Sequence, residues 1–248
     1  MDIPFLIGHR GLAGAAPENT LAGLRAAAAH GLGMIEADLK LTADNRVILF
    51  HDDTVDRTTD GYGPVRERTL EEMGSLDAGL SFDKAFIGEP TPTLEETVDL
   101  LEHLNLQANL EIKPCPGREA ETARTVMETL RTCWPAQCPP PLISSFSLEA
   151  TRLAHALVPE WPIGLLVERL PRTWKSLARE VGAVAIHLDQ STLTKKKTQD
   201  IKAEGLAVLA WTVNTFERAL ELKGWGVDAI FTDNPALVRA WGKSALGA

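Results

Sequence analysis

Short runs of apolar and β-branched residues recur along the chain, and a stretch rich in helix-forming residues follows each run. This alternation is typical of βα units that build a parallel sheet. Eight such units in 248 residues leave about 31 residues for each, which is room for a strand, a helix and two loops. The pattern therefore predicts an α/β fold, a (β/α)8 TIM barrel, with residues 1–248 as a single domain. The predicted strands span residues 5–9, 34–40, 108–113, 142–146, 163–167, 184–189, 207–213 and 229–233, and residues 47–51 form a paired extension of the second.

Helix signals and turn signals divide the chain further. The sequence Pro-Glu-Asn-Thr at 17–20 precedes an alanine-rich helical stretch, and Gly31 and Gly33 suit the exit from that helix. Residues 92–96 predict the start of another helix, with acidic residues in its first turn. The segment from about 52 to 91 is rich in turn residues and has no long helical period. We expect it to be a small insertion after the second strand, above the end of the barrel where TIM-barrel active sites lie.

Composition narrows the possible partners. The chain carries 25 Lys and Arg against 34 Asp and Glu, a formal net charge of −9, which disfavours binding to nucleic acid or to an anionic membrane. The N-terminal residues lack the pattern of a secretory signal, and no apolar run reaches the roughly 18 residues of a membrane span. Three cysteines, an odd number, argue against a disulfide framework. We therefore expect a cytoplasmic protein that takes a small-molecule substrate, binds no nucleic acid and does not insert into a membrane.

Three carboxylates are expected on the inner face of the barrel. Side chains alternate along a strand, so Glu36 and Asp38 share one face while the apolar residues beside them face the helices. The same alternation in the next predicted strand turns Glu111 inward. Unpaired carboxylates in a barrel repel one another and need a cation or a proton, and a set of oxygen ligands favours Mg2+ or Ca2+ over zinc. The alternative is a buried ion network of these acids with Arg10 and Lys113.

Two histidines are expected at the C-terminal rim beside these carboxylates. His9 closes the first predicted strand, and His51 ends the extension of the second. A pair of histidines in that position can divide the work of acid and base between them. His187 lies in a strand, and the pattern leaves open whether it faces the site. The remaining histidines fall in helical stretches and are expected to be solvated or packed: His30, His103 and His155.

Basic and aromatic residues near the same rim can complete a site for an anionic ester. Arg10 can hold phosphate oxygens in a bidentate fork, and Lys113 can add a point charge. Phe146 and Trp211, near the ends of the fourth and seventh predicted strands, are expected either to form an apolar wall for a carbon chain or to belong to the core. Three further tryptophans are expected to be exposed: Trp174, Trp225 and Trp241.

Seven short motifs stand in order along the chain, and the most telling is Glu-x-Asp followed thirteen residues on by His-Asp. Together the motifs resemble the glycerophosphodiester phosphodiesterase family, from about residue 5 to 235, and look closest to its short cytoplasmic bacterial members. The motifs are Gly8-His9-Arg10-Gly11, Pro17-Glu18-Asn19-Thr20, Glu36-Ala37-Asp38, His51-Asp52, Glu111-Ile112-Lys113, Trp211-Thr212-Val213-Asn214 and Thr232-Asp233.

The resemblance implies a barrel that hydrolyses glycerophosphodiesters, such as glycerophosphocholine or glycerophosphoethanolamine, to sn-glycerol 3-phosphate and an alcohol. It also implies one divalent metal ion. The short, polar insertion favours water-soluble substrates over lipids with long acyl chains. By position in the motifs, the resemblance makes His9 and His51 the acid-base pair, Glu36, Asp38 and Glu111 the metal ligands, and Arg10 and Lys113 the phosphate contacts.

The mechanism that we expect has His9 taking a proton from the nucleophile and His51 protonating the leaving alkoxide, with a metal that binds the glycerol hydroxyls and a phosphate oxygen. The sequence does not decide between attack by the glycerol 2-hydroxyl, which gives a cyclic phosphate, and attack by water. Three other functions stay open: an aldolase that uses Lys113 as a Schiff-base nucleophile, a lyase that stops at the cyclic product, and a binding protein without catalysis.

Overall fold

Eight parallel strands close into a barrel in the computed structural model, which describes residues 2–246. Closure is made by β1, which pairs with β9 on one side and, through Gly8 and Ile35, with β2 on the other. The predicted (β/α)8 barrel is confirmed. The barrel strands are β1 (Leu6–Gly8), β2 (Met34–Leu41), β4 (Gln107–Ile112), β5 (Leu142–Ser145), β6 (Ile163–Val167), β7 (Ala183–Asp189), β8 (Ala207–Trp211) and β9 (Ala229–Thr232), and β3 (Val47–Leu49) pairs antiparallel with the end of β2.

Helices cover the outside of the barrel, and their starts follow the capping residues in the sequence. The Thr20 side chain accepts a hydrogen bond from the Gly23 amide, and Thr93 forms a capping box with Glu96. The first helix ends as predicted, with Gly31 in the left-handed region at φ 81°. The helices are α1 (Leu21–Ala29), α2 (Leu70–Gly74), α3 (Leu94–Leu104), α4 (Glu119–Cys133), α5 (Leu148–Leu157), α6 (Trp174–Glu180), α7 (Lys195–Lys202), α8 (Phe216–Trp225) and α9 (Pro235–Leu246).

Alternation along the strands divides the interior into two parts. On β2, Ile35 and Leu39 belong to the large apolar core between strands and helices, whereas Met34 belongs to a smaller cluster inside the barrel. That inner cluster fills the part of the lumen away from the rim, so the polar side chains further along the strands rest on an apolar base. Its members are Ile7, Met34, Leu142, Ala185, Leu209, Ala229 and Phe231.

The segment 52–91 has only short helical elements: α2 and two 3-10 turns, Val65–Glu67 and Lys84–Phe86. A small apolar cluster anchors its first part to β3, and this cluster contains Val55 and Met73 together with Ile48. The rest of the segment is mainly polar in composition but exposes four large apolar side chains: Tyr62, Leu80, Phe82 and Ile87. No helix among the described residues 2–246 has the length and apolar character needed to cross a membrane.

Two groups of expectations differ from the structure in detail. Several strands end one or two residues before the predicted end, so that His9, Phe146 and Asp233 lie on the loops that follow β1, β5 and β9. The exposure expected for three tryptophans is wrong. Trp174 is buried, and Trp225 and Trp241 are partly buried against the outer core, because these amphipathic helices turn their indole rings toward the strands.

Candidate active site

Three carboxylates meet inside the barrel near the C-terminal ends of β2 and β4. Glu36 and Asp38 point inward from β2, and Glu111 points inward from β4, where its backbone is in register with that of Asp38. One oxygen from each lies within 4.8 Å of the others, and all three residues are buried. The predicted alternation thus places three acidic oxygens around one point.

The close packing of these acids changes their acidity. Burial raises the pKa of Glu36 to about 7 and that of Glu111 to about 8, and the nearby charge of Asp38 adds to both shifts. Burial also works against ionisation of Asp38, but the charges of Arg10 and Lys113 outweigh it and hold the Asp38 pKa below its usual range. The cluster therefore carries more potential negative charge than its surroundings stabilise.

The alternative ion network with Arg10 and Lys113 is formed in part. Lys113 Nζ donates to Glu111 at 3.0 Å and lies 3.7 Å from an oxygen of Asp38, and Arg10 Nε lies 3.4 Å from the other. Arg10 is shared, because its Nη1 donates to Glu18 at 2.7 Å. Two shared cations face three carboxylates, so the oxygen cluster fits a divalent cation as well as the two basic side chains.

His9 lies directly after β1, at the edge of this cluster. Its Nδ1 donates to Asp233, which follows β9, at 2.6 Å, and its Nε2 lies 3.9 Å from Glu36. Burial lowers the pKa of His9, but the Asp233 hydrogen bond and the Glu36 charge outweigh it, so the His9 pKa lies above its ordinary value. Asp233 thus fixes the ring orientation and leaves Nε2 as the nitrogen that faces the carboxylates.

His51 follows β3 and is held in a different way. Its Nδ1 donates at 2.6 Å to Asp52, which Arg57 also binds at 2.7 Å, and Arg57 donates in addition to Glu18. Burial and the charges of Arg10 and Lys113 lower the pKa of His51, in spite of the nearby carboxylates. The orienting group is therefore a loop carboxylate, fixed by an arginine that joins the segment 52–91 to the chain before α1.

Asn19 fixes Asp38 from the loop before α1. Its amide donates to Asp38 Oδ2 at 2.9 Å, and its carbonyl oxygen accepts from the Asp38 backbone amide at 3.0 Å. The backbone amide of Arg10 donates to Glu36 at 2.9 Å. Both Asn19, at φ 54°, and Arg10, at φ 51°, adopt the left-handed conformation that glycine favours, which is a conformational cost at each position.

A cavity of about 120 Å³ opens between these groups, and all nine residues predicted for the site line it. Phe146, which is 47% exposed, and Trp211 stand edge to face at a centroid distance of 5.5 Å. The Lys113 ammonium lies 5.2 Å from the centre of the Phe146 ring. The nine residues are His9, Arg10, Glu36, Asp38, His51, Glu111, Lys113, Phe146 and Trp211.

The sequence profile of the "Glycerophosphoryl diester phosphodiesterase family" matches residues 9–237. The chain belongs to this family. Its activity is therefore that of a phosphoric diester hydrolase, and glycerophosphodiester phosphodiesterases depend on a divalent metal, for which the buried carboxylate cluster offers ligands.

Relatives of similar length support the assignment to the glycerophosphodiester phosphodiesterases. Enzymes with that name from Caldanaerobacter subterraneus subsp. tengcongensis and from Bacillus subtilis are 34% and 30% identical, covering 93% and 95% of this chain and 94% and 85% of theirs. A phosphodiesterase from Oleispira antarctica, solved in complex with the product sn-glycerol-3-phosphate, superposes with a TM-score of 0.93 at 39% identity, over 96% of each chain.

The charges around Lys113 bear on the alternative function as an aldolase. A Schiff-base lysine needs a lowered pKa. Burial acts in that direction here, but Glu111 and Asp38 outweigh it and the Lys113 pKa lies above its ordinary value. The aldolase alternative is therefore disfavoured by the charges of this phosphodiesterase site.

Among the residues in or beside the site for which the sequence predicts no role are two carboxylates and two residues on the barrel strands. Asp52 and Asp233 belong to the motifs His51-Asp52 and Thr232-Asp233, but their hydrogen bonds to histidines depend on loop geometry. Asn109 and His187 line the cavity. Alternation along the strands predicts that both side chains face inward, because Asn109 is two residues from Glu111 and His187 is two residues from Ala185.

Proposed function

We propose that this enzyme hydrolyses water-soluble glycerophosphodiesters, such as glycerophosphocholine and glycerophosphoethanolamine, to sn-glycerol 3-phosphate and the free alcohol. One observation carries the proposal. Two histidines, each bound through Nδ1 to its own carboxylate at 2.6 Å, line one small cavity with a cluster of three further carboxylates. The product seen in the Oleispira antarctica relative supports the glycerol part of the assignment.

Glu36, Asp38 and Glu111 would hold the metal ion, either Mg2+ or Ca2+. The ligand set is made of carboxylate oxygens, which both of these hard cations prefer. When bound, the ion supplies positive charge that stabilises the five-coordinate phosphorus and makes a nearby hydroxyl more acidic. The raised pKa values of Glu36 and Glu111 support the proposal, because a cation relieves the repulsion that contributes to both shifts.

The two histidines transfer protons through Nε2, because Nδ1 of each is occupied by a carboxylate. His9 takes the proton from the attacking oxygen, and His51 gives a proton to the alkoxide that leaves. A general base needs a lower pKa than a general acid, whereas without a cation the pKa of His9 is raised and that of His51 is lowered. A cation on Glu36 would offset the contribution of the Glu36 charge to the raised His9 pKa, which would make His9 a better proton acceptor.

Arg10 and Lys113 bind the phosphate oxygens, since both are cationic and both line the cavity beside the carboxylates. Phe146 and Trp211 form an apolar wall for the carbon chain of the substrate. The three cysteines are unpaired, which suits the cytoplasmic location that the sequence predicts.

The test is enzyme-coupled detection of glycerol 3-phosphate from glycerophosphocholine and from glycerophosphoethanolamine, with Mg2+ or Ca2+ present. We expect release of glycerol 3-phosphate from at least one diester. Phosphorus NMR of the same reactions separates the hydrolase from the lyase, because a lyase accumulates the cyclic glycerol phosphate. Absence of glycerol 3-phosphate with both ions and both diesters contradicts the proposal.

A further inference from the structure

Charged side chains of alternating sign form a continuous line across the mouth of the barrel. In order, the line runs through Asp38, Arg10, Glu18, Arg57, Asp52 and His51. It begins in the carboxylate cluster, where Arg10 lies 3.4 Å from Asp38 and donates to Glu18 at 2.7 Å. It ends at the second histidine, whose Nδ1 donates to Asp52 at 2.6 Å. Arg57 joins the two halves of the line.

The Arg57 guanidinium binds two carboxylates at once. Its Nε and Nη2 donate to the two oxygens of Asp52 at 2.7 and 3.0 Å. Its Nη1 and Nη2 donate to the two oxygens of Glu18, each at 2.7 Å. Because a planar guanidinium holds its donors in a fixed fork, Arg57 orients both carboxylates as well as neutralising them.

Glu18 anchors this arrangement to the barrel. Asp52 and Arg57 both belong to the segment 52–91, so the contact between them does not by itself fix His51 relative to the carboxylate cluster. Glu18 lies outside that segment, in the loop before α1, and also accepts from Arg10, which lies just after β1. The position of His51 at the mouth of the barrel therefore depends on the bond between Arg57 and Glu18.

The charge of Asp52 also depends on Arg57. The hydrogen bonds from Arg57 make the largest contribution to an Asp52 pKa below its usual range, and the hydrogen bond with His51 adds to it. Asp52 is therefore an anion whose direction is fixed. Such an anion holds the Nδ1 hydrogen of His51 and leaves Nε2 to carry the proton that is transferred.

Arg57 lies behind the catalytic cavity. The cavity is lined by Arg10 and His51 but, within residues 2–246, not by Arg57, and 49% of the Arg57 side chain is exposed. Exposed ion pairs add little to stability. A fork that binds two carboxylates at a half-exposed position is therefore better explained by the orientation that it gives to Asp52 than by stabilisation of the fold.

We propose that Arg57 is a positioning residue for the departure of the alcohol: by holding Asp52 against Glu18, it directs His51 Nε2 at the leaving oxygen. This assignment rests on the proposed function, in which His51 is the acid. It implies a loss that depends on the leaving group. The alkoxide of choline needs the proton, whereas p-nitrophenolate leaves without it. Loss of Arg57 should therefore slow the first kind of substrate more than the second.

The test measures kcat of wild type and Arg57→Gln with glycerophosphocholine and with the p-nitrophenyl diester of glycerol 3-phosphate. Arg57→Gln should lower kcat for glycerophosphocholine by roughly 3- to 10-fold, and for the nitrophenyl diester by less than about twofold. Arg57→Lys keeps the charge without the fork, so its kcat for glycerophosphocholine should lie between those of Arg57→Gln and wild type. In the Asp52→Asn background, Arg57→Gln should lower kcat by less than about a further twofold, because Arg57 acts through Asp52.

Arg152→Gln is the matched control. The Arg152 side chain is also 49% exposed and donates to a carboxylate, that of Glu180, at 2.6 Å, but this pair joins the outer helices α5 and α6. The control should keep the wild-type kcat on both substrates. Thermal unfolding separates orientation from folding, since Arg57→Gln and Arg152→Gln should each unfold within about 4 °C of wild type, as expected for exposed ion pairs.

Three outcomes would overturn the assignment. A wild-type kcat of Arg57→Gln on glycerophosphocholine would show that His51 does not need Arg57. Equal losses on the two substrates would place the effect on phosphate binding through Arg10 or on the fold. A loss that keeps its full size in the Asp52→Asn background would show that Arg57 does not act through Asp52. If the wild type releases no glycerol 3-phosphate from any diester, the proposed function itself fails, and this result is recognised without any variant.

Discussion

The active-site cavity has a charged rim and a neutral floor, which is formed by the buried side chains of Asn109 and His187. At the rim the groups are charged and partnered: His9 with Asp233, His51 with Asp52, and Lys113 with Glu111. On the floor the groups are neutral, and Asn109 Oδ1 and His187 Nε2 have no hydrogen-bond partner among residues 2–246. Rim residues therefore hold charge in fixed orientations for proton and phosphate chemistry, whereas the floor residues place uncharged polar atoms in a buried part of the barrel. Changes at the rim should therefore alter the rate, and changes on the floor should alter stability.

The largest expected effect comes from the rim histidines. Replacing His9 or His51 by Ala removes general acid-base catalysis and should lower kcat by roughly a hundredfold or more. The two variants should differ with a diester that has p-nitrophenol as leaving group. That substrate needs little protonation, so it should partly rescue His51→Ala and leave His9→Ala impaired.

Steady-state kinetics of both variants with both leaving groups checks this prediction. Equal rescue of the two variants would contradict the assigned roles. A His51→Ala enzyme with the wild-type rate on glycerophosphocholine would remove His51 from the mechanism.

The orienting carboxylates should show an effect next in size, and an unequal one. Asp233→Asn should lower kcat by roughly a hundredfold, since His9, the less exposed of the two histidines, loses the acceptor that fixes its ring. Asp52→Asn should lower kcat about tenfold, because His51 is more exposed than His9 and water can replace part of the interaction. Kinetics at saturating substrate measures both losses, with Asp200→Asn, in an exposed ion pair on α7, as the unchanged control. Equal losses of kcat would contradict the prediction that the less exposed histidine depends more strongly on its carboxylate.

The smallest expected effect is on stability and comes from the floor. Burial lowers the pKa of His187 to about 3, against about 6.5 in the unfolded chain. Between these values the unfolded state binds a proton that the folded state does not bind. The stability that the neutral ring provides is therefore complete above pH 6.5 and falls with decreasing pH, by about 2–3 kcal/mol at pH 4.5.

Urea unfolding of wild type and His187→Gln at pH 7.5, 5.5 and 4.5 tests this sign and size. The variant should lose less stability on acidification than the wild type does, by the amount given above. His103→Gln, on the exposed face of α3, should keep the wild-type dependence on pH. If the free energy of unfolding depends on pH in the same way for His187→Gln and wild type, His187 does not titrate differently in the folded and unfolded states.

The sequence predicted the barrel and the inward carboxylates because both depend on local periodicity. Alternation on β2 alone determines that Glu36 and Asp38 share a face, and the repeated βα pattern determines the closed sheet. The partners of the histidines were not predictable in this way. His9 and Asp233 are 224 residues apart and meet only because β1 and β9 are neighbours in the closed barrel.

Other residues escaped prediction because their roles depend on loops or on packing. Asn19 reaches Asp38 from a backbone with positive φ, which no periodicity describes. Arg57 joins Asp52 to Glu18 across two loops. Trp174 is buried because it packs into the outer core, and the sequence alone does not show which face of α6 meets the strands.

The central claim is that a cation held by Glu36, Asp38 and Glu111 is required for the reaction. The most direct test is glycerol 3-phosphate release after EDTA treatment and gel filtration, repeated with Mg2+ or Ca2+ restored, alongside calorimetric titration of the ion into wild type and Glu111→Gln. We predict that chelation abolishes activity, that at least one ion restores it, that the wild type binds one ion per chain and that Glu111→Gln binds it at least tenfold more weakly. Undiminished activity of the chelated enzyme would contradict the claim and leave Arg10 and Lys113 as sufficient partners for the carboxylates.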